Sequence, residues 1–182
     1  MNALSWLPNA ISILRILLIV PILELILRGN YHVALLLFLF AGFSDGLDGY
    51  LAVRFNWQSR LGALLDPVAD KLLVAGMFIT LAYIELIPAW LAAVVITRDV
   101  VIVCGALAYN FLVRPVPGEP TKISKLNTAL ELIFLTLVLS STAYGWPDDI
   151  ALLVLGASIL VTVVISGTDY VVSWSKRAKE GI

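Results

Sequence analysis

The stretch Asp45–Lys71, DGLDGYLAVRFNWQSRLGALLDPVADK, decides both the fold and the chemistry of this chain. It sets four carboxylates, Asp45, Asp48, Asp66 and Asp70, in an otherwise strongly apolar sequence. A carboxylate near hydrocarbon costs roughly 2.5–3.5 kcal/mol on insertion scales, so such residues are rare and mark function. Asp45 and Asp48 are three apart and Asp66 and Asp70 four apart. Within helices, each pair therefore shares a face. Four clustered carboxylates need positive charge beside them. Among sequence neighbours, Arg54, Arg60 and Lys71 are the cations that can supply part of it. Bound metal supplies the rest more economically. Hard oxygen ligands without His or Cys suit Mg²⁺ or Mn²⁺, and two such ions suit phosphoryl chemistry. Gly46, Gly49 and Gly62 lie among the acids, where a missing side chain lets a ligand or a second helix approach the backbone. A helix cap or a neutral, hydrogen-bonded acid accounts for one aspartate, but not for four at these spacings.

The surroundings fix the class. Of 182 residues, 60% are hydrophobic and 14% charged, with a mean hydropathy of +0.97. That composition belongs to a polytopic membrane protein. A formal net charge of −1 argues against a general nucleic-acid binder. Cys104 is the sole cysteine, so there is no intrachain disulfide and no cysteine zinc cluster, and it reads as a small core residue. His32, also alone, sits at a helix start and reads as an interfacial side chain. The N-terminal apolar run has no Lys or Arg before Arg15 and no small-residue cleavage site after it, so a retained helix is expected.

About 20 apolar residues cross a bilayer, and by that measure the chain is all-α with six transmembrane helices. They are expected near Pro8–Leu27, Tyr31–Arg54, Ser59–Tyr83, Pro88–Val113, Ile123–Tyr144 and Pro147–Trp174. The breaks carry turn chemistry at Arg28-Gly29-Asn30, Arg114–Pro120 and Tyr144–Asp149. Short connections and the absence of a soluble insertion predict a single membrane domain over residues 1–182. With the N-terminus inside, the cytoplasmic segments hold Arg54, Arg60, Arg114, Lys122, Lys125, Lys176, Arg177 and Lys179, and the outer loops hold only Arg28. Both termini then come out cytoplasmic, and the aspartate stretch flanks the cytoplasmic loop between helices two and three.

Arg15, Lys71 and Arg98 fall inside predicted spans, as snorkelling or interhelical pairs or, for Arg98, as a group that binds phosphate. Asp99 follows Arg98, but helix neighbours point about 100° apart, so the two are not expected to pair. Trp57, Trp90, Trp146, Trp174, Tyr31, Tyr83 and Tyr144 lie near helix ends as interfacial anchors.

The order Asp45-x-x-Asp48-Gly49-x-x-Ala52, then Gly62-x-x-x-Asp66-x-x-x-Asp70, resembles the signature of the CDP-alcohol phosphatidyltransferases. The resemblance implies six transmembrane helices, cytoplasmic termini and a homodimer. The implied reaction moves a phosphatidyl group from CDP-diacylglycerol to an alcohol and releases CMP. Carried over by position, it makes Asp45, Asp48 and Asp66 ligands of two Mg²⁺ or Mn²⁺ ions. Asp70 becomes the general base, close to the second metal, while Gly49, Ala52 and Gly62 line the CMP pocket. The family has Arg directly after that alanine; here Val53 stands there and Arg54 follows, from which the donor's charge is met at a rotated position. Leu7-Pro8-Asn9 with Arg15 resembles the family's first-helix opening. Ile84–Pro88, Ile96–Val100 and Pro120–Ala129 look most like its cardiolipin synthase branch, which implies phosphatidylglycerol as acceptor. Relatives that make phosphatidylglycerophosphate take glycerol-3-phosphate instead. Arg98, Lys122 and Lys125 would bind the phosphate of either. The implied location is a bacterial cell membrane or the mitochondrial inner membrane, with the site facing cytoplasm or matrix.

Two other classes compete. An ion or proton transporter would need acids spread across the bilayer depth, whereas these cluster on one side. A membrane prenyltransferase also uses an aspartate-rich Mg²⁺ site, but needs more helices than 182 residues provide.

Overall fold

A computed structural model describes the backbone of residues 7–55, 62–112 and 122–180, with side chains described within 9–47, 54–55, 68–105 and 123–168. Among the described residues there are six helices: α1 Leu7–Leu27, α2 Tyr31–Arg54, α3 Gly62–Tyr83, α4 Ala89–Leu112, α5 Lys122–Tyr144 and α6 Asp149–Glu180. Each lies where an apolar span is expected, and α6 continues past Trp174 to Glu180. Among the described residues, three stretches are long and apolar enough to cross a membrane: Asn9–Leu27, Ile123–Tyr144 and Asp149–Thr168. The apolar part of α2, Tyr31–Leu47, is shorter. The described residues are all-helical, as a membrane-spanning chain must be, since in hydrocarbon each backbone polar group has to be satisfied within its own segment.

The turns follow from local chemistry. After α1, Asn30 N–H donates to Leu25 O (2.8 Å) and Gly29 N–H to Ile26 O (3.0 Å). Gly29 takes the left-handed φ of 75° that closes this capping motif. The same pattern ends α3, with Leu86 N–H on Leu81 O (2.9 Å) and Glu85 N–H on Ala82 O (3.1 Å). There the left-handed position is Glu85, at φ 62°, a conformation that a side chain bearing a Cβ adopts at a cost.

The helices fall into two compact units, Met1–Ile87 with Leu135–Pro147 and Pro88–Phe134 with Asp148–Ile182. In the first, α1 packs against both α2 and α3. Ile22 and Ile26 of α1, Ala34, Phe38 and Ala41 of α2, and Met77 and Phe78 of α3 are buried. A Cβ at Gly76 would meet Leu23 Cδ1 at 3.0 Å, so this glycine sets how closely α3 approaches α1. In the second, α4 packs on α6, and Gly156 leaves room for Leu91 and Phe134. Polarity is inverted relative to a soluble core. Arg15, Asn127 and Glu131 are fully buried, while Val20 is 70% and Leu153 72% exposed. Trp90, Trp146, Tyr83 and Tyr144 are exposed near helix ends, and His32 meets the Tyr144 ring edge-on at 4.7 Å, as interfacial anchors should. Cys104, expected in the core, is instead exposed on α4. In a membrane helix an apolar thiol gains nothing from being inside.

Candidate functional site

The first unit brings together two of the four aspartates. Asp45 on α2 and Asp70 on α3 both direct Oδ1 at one atom, Nη1 of Arg15 on α1, at 2.5 and 2.6 Å. The Arg15 side chain is 1% exposed and the two carboxylates 40% and 41%. The cation therefore lies behind, and the acids face outward. Depth explains the meeting. Arg15 precedes the Gly29 turn by 14 residues, Asp45 follows it by 16, and Asp70 precedes Glu85 by 15. At about 1.5 Å per residue, all three lie at the same level within about 3 Å.

Arg15 is the counter-charge that a search among sequence neighbours misses. Arg54 is exposed at the end of α2, Lys71 is half-buried, and Arg60 lies outside the described residues. The signal was available: a lone arginine in an apolar span must find an acid at its own depth. The spacings Asp45–Asp48 and Asp66–Asp70 each fall within a continuous helix. The side chains of Asp48 and Asp66 lie outside the described ones, as do Gly49, Ala52, Gly62 and Lys122. Among the described residues no group of three or more His, Cys, Asp or Glu forms. Asp45 and Asp70 supply carboxylate oxygens, the donor type that Mg²⁺ and Mn²⁺ take, and Arg15 Nη1 stands where their Oδ1 atoms converge.

The second unit holds a buried polar cluster. Contrary to expectation, Arg98 pairs with the adjacent Asp99, Nη1 to Oδ1 at 2.7 Å. Adjacent Cβ atoms diverge, but a guanidinium on three methylenes swings back to the nearest carboxylate, because a lone charge in apolar surroundings costs more than the bent side chain. Arg98 Nη2 donates to Ser124 Oγ at 2.8 Å and to Ser166 Oγ at 2.6 Å. Deeper along α5, Asn127 Nδ2 donates to Glu131 Oε1 at 2.5 Å, and Thr162 Oγ1 donates to Asn127 Oδ1 at 2.7 Å. Among the described residues, Arg98 is also the one charged side chain lining an apolar groove of about 600 Å³ between α4 and α6, with Ala93, Val101, Val163 and Gly167 among its walls. Lys125 is exposed near the start of α5.

Comparison with known proteins identifies the family. Residues 5–170 match the family model for CDP-alcohol phosphatidyltransferase. A cardiolipin synthase (CMP-forming) from Rattus norvegicus is 35% identical over 179 residues, covering 90% of this chain and 59% of that protein. Its Homo sapiens counterpart is 33% identical, covering 90% and 60%. A CDP-diacylglycerol–glycerol-3-phosphate 3-phosphatidyltransferase from Pseudomonas fluorescens is 39% identical over 143 residues, covering 74% of this chain and 72% of that one. The chain thus spans about 60% of the length of its mammalian relatives. Its signature aspartates, its helical fold and the family match over nearly its whole length place it in one group: this chain belongs to the CDP-alcohol phosphatidyltransferase family.

Proposed function

We propose that this chain transfers the phosphatidyl group of CDP-diacylglycerol to the hydroxyl of phosphatidylglycerol, giving cardiolipin and releasing CMP. The observation that carries the reading is the convergence of Asp45 and Asp70, from different helices, on one buried positive charge. The site would be held within a single domain, 1–182, of six membrane-spanning helices with both termini cytoplasmic, acting as a homodimer.

Asp45, Asp48, Asp66 and Asp70 would hold two Mg²⁺ or Mn²⁺ ions, which when bound neutralise charge developing on the departing CMP. Gly49, Ala52 and Gly62 let the donor approach the backbone, and Arg54 meets its phosphates. Asp70 accepts the proton from the acceptor hydroxyl as that oxygen bonds to the phosphatidyl phosphorus and the bond to CMP breaks. Half exposure of its carboxylate leaves it open to that proton. Arg98, Lys122 and Lys125 bind the acceptor's phosphate.

A second reading, phosphatidylglycerophosphate synthesis from glycerol-3-phosphate, is favoured by relatives that carry that name. The α4–α6 groove supports the lipid acceptor instead. It follows α4 from Ala93 to Gly105, about 18 Å at 1.5 Å per residue, and its apolar walls suit a hydrocarbon chain better than a soluble sugar phosphate. The deciding experiment offers purified protein CDP-diacylglycerol and Mg²⁺ with each acceptor separately, and identifies the lipid product by mass. Cardiolipin is expected. Product from glycerol-3-phosphate alone would replace this reading with the second.

A further inference from the structure

We propose that the α4–α6 groove takes the acceptor lipid lengthwise, with its glycerol headgroup in the half towards Gly105 and Gly167 and one acyl chain in the half between Arg98 and Ala93. The inference rests on the proposed function and deepens it. It gives the acceptor a place and a direction, and it makes Ala93, Val94, Val163 and Val164 the residues that favour an acceptor carrying hydrocarbon.

Three observations carry it. The first is an unmatched donor. Arg98 gives Nη1 to Asp99 and Nη2 to Ser124 and Ser166, while its Nε is buried without a hydrogen-bond partner among the described residues. Plain hydrocarbon over this groove, whether a bulk lipid's tail or an apolar helix of a second copy, would keep that donor unmatched, which is costly in apolar surroundings. An occupant with phosphate or ester oxygens at this level satisfies it. The second is the level itself. Ser124, which meets the guanidinium, is the second residue of the span Ile123–Tyr144. Arg98 therefore reaches the end of that span, within about 3 Å at 1.5 Å per residue, where a lipid's chains give way to its glycerol and phosphate. The third is the contrast between the two halves. From Arg98 the groove runs about 7–8 Å back to Ala93 and about 10 Å on to Gly105. Ala93, Val94, Val163 and Val164 wall the first half with aliphatic side chains. In the second, both helices present a glycine, Gly105 and Gly167, and a Cβ at Gly167 would meet nothing within 4 Å. The aliphatic half suits an extended chain, and the wider half a branched, hydroxyl-bearing head.

The test places p-benzoylphenylalanine at Val164, which is 61% exposed in the groove, or at Leu153, which is 72% exposed on α6 outside it. The full chain is irradiated in micelles holding equal amounts of phosphatidylglycerol and phosphatidylcholine, and the adducts are identified by mass. At Val164, phosphatidylglycerol adducts should exceed phosphatidylcholine adducts several-fold, because the choline head brings a positive charge towards Arg98; at Leu153 the two should be equal. Thr97, exposed on the α4 wall of the groove, is the second labelling position if the Val164 variant does not fold. Equal labelling by both lipids at both positions would overturn the proposal and make the groove an ordinary lipid contact. Adducts joining two chains through Val164 would overturn it in favour of a second copy. Enrichment of phosphatidylglycerol at Val164 together with no cardiolipin from the wild type would support the lipid site and overturn the proposed function instead.

Discussion

Replacing Arg98 with Met tests whether the buried cluster of the second unit is structural, catalytic or both. The Arg98 side chain is 4% exposed and that of Asp99 13%. The substitution removes Nη1 from Asp99 and Nη2 from Ser124 and Ser166. The serines lose little, because a membrane-helix hydroxyl turns to the carbonyl one turn back, as Ser44 does to Phe40 O at 2.6 Å and Ser158 to Val154 O at 2.8 Å. The charge dominates. Removing one partner of a buried ion pair costs about 3–5 kcal/mol, whereas replacing both with apolar side chains of similar size is near neutral. Arg98→Met should therefore destabilise by about 3–5 kcal/mol, and adding Asp99→Leu should recover most of the loss, as a large coupling in a double-mutant cycle. Unfolding followed by tryptophan fluorescence in detergent micelles measures both. A loss under about 1 kcal/mol for the single variant, or a double variant no better than the single, would refute the argument that burial makes this pair costly to break. The same pair of proteins separates the roles. If Arg98 contacts the acceptor's phosphate, the double variant regains stability but keeps a raised acceptor KM. If it only braces α4 against α5 and α6, kinetics recover with stability.

Other substitutions probe separate parts of the molecule. Asp70→Asn should lower CMP release by about 10²–10⁴, the usual worth of a positioned base, with donor binding retained in an equilibrium assay; near-wild-type rates would remove Asp70 from that role. Gly167→Leu adds a side chain where a Cβ meets nothing within 4 Å, so the fold should persist while the KM for phosphatidylglycerol rises several-fold and that for CDP-diacylglycerol holds. An unchanged acceptor KM would separate the α4–α6 groove from acceptor binding. Glu85→Gly, at φ 62°, should raise stability by about 1 kcal/mol by relieving a left-handed side chain, read as an upward shift of the unfolding midpoint.

Much of the architecture was legible because hydrocarbon leaves a chain few options. Runs of apolar residues broken at Gly29 and Gly145 placed the described helix ends beside them within a few residues, since the backbone must close its hydrogen bonds before it turns. The aspartate signature was legible for a related reason: acids are too costly in such a chain to be incidental. Side-chain direction was harder to read. The Arg98–Asp99 pair defeats an argument from Cβ vectors, because the reach of arginine exceeds the separation that helix phase imposes. The exposure of Cys104 on α4 defeats an argument from apolarity, because inside and outside are equally apolar here.

Arg15 shows what kind of reasoning reaches such contacts. In soluble domains, distance along the chain says little about which side chains meet. In a bundle of helices that alternate direction, the turns act as a common ruler, and charged residues at equal counts from their turns occupy one layer. Arg15, Asp45 and Asp70, at 14, 16 and 15 residues from Gly29 and Glu85, satisfy that rule although 30 and 55 residues of sequence separate the arginine from its acids. The energetic reason is general: a charge in hydrocarbon is tolerable only when an opposite charge lies within reach, and reach across a bundle is lateral. Once the acids are accepted as functional, a cation at their level belongs to the same site, whichever helix carries it. The charge partner of an aspartate buried in such a bundle should therefore be sought by depth, and the α1 arginine is what that search returns here.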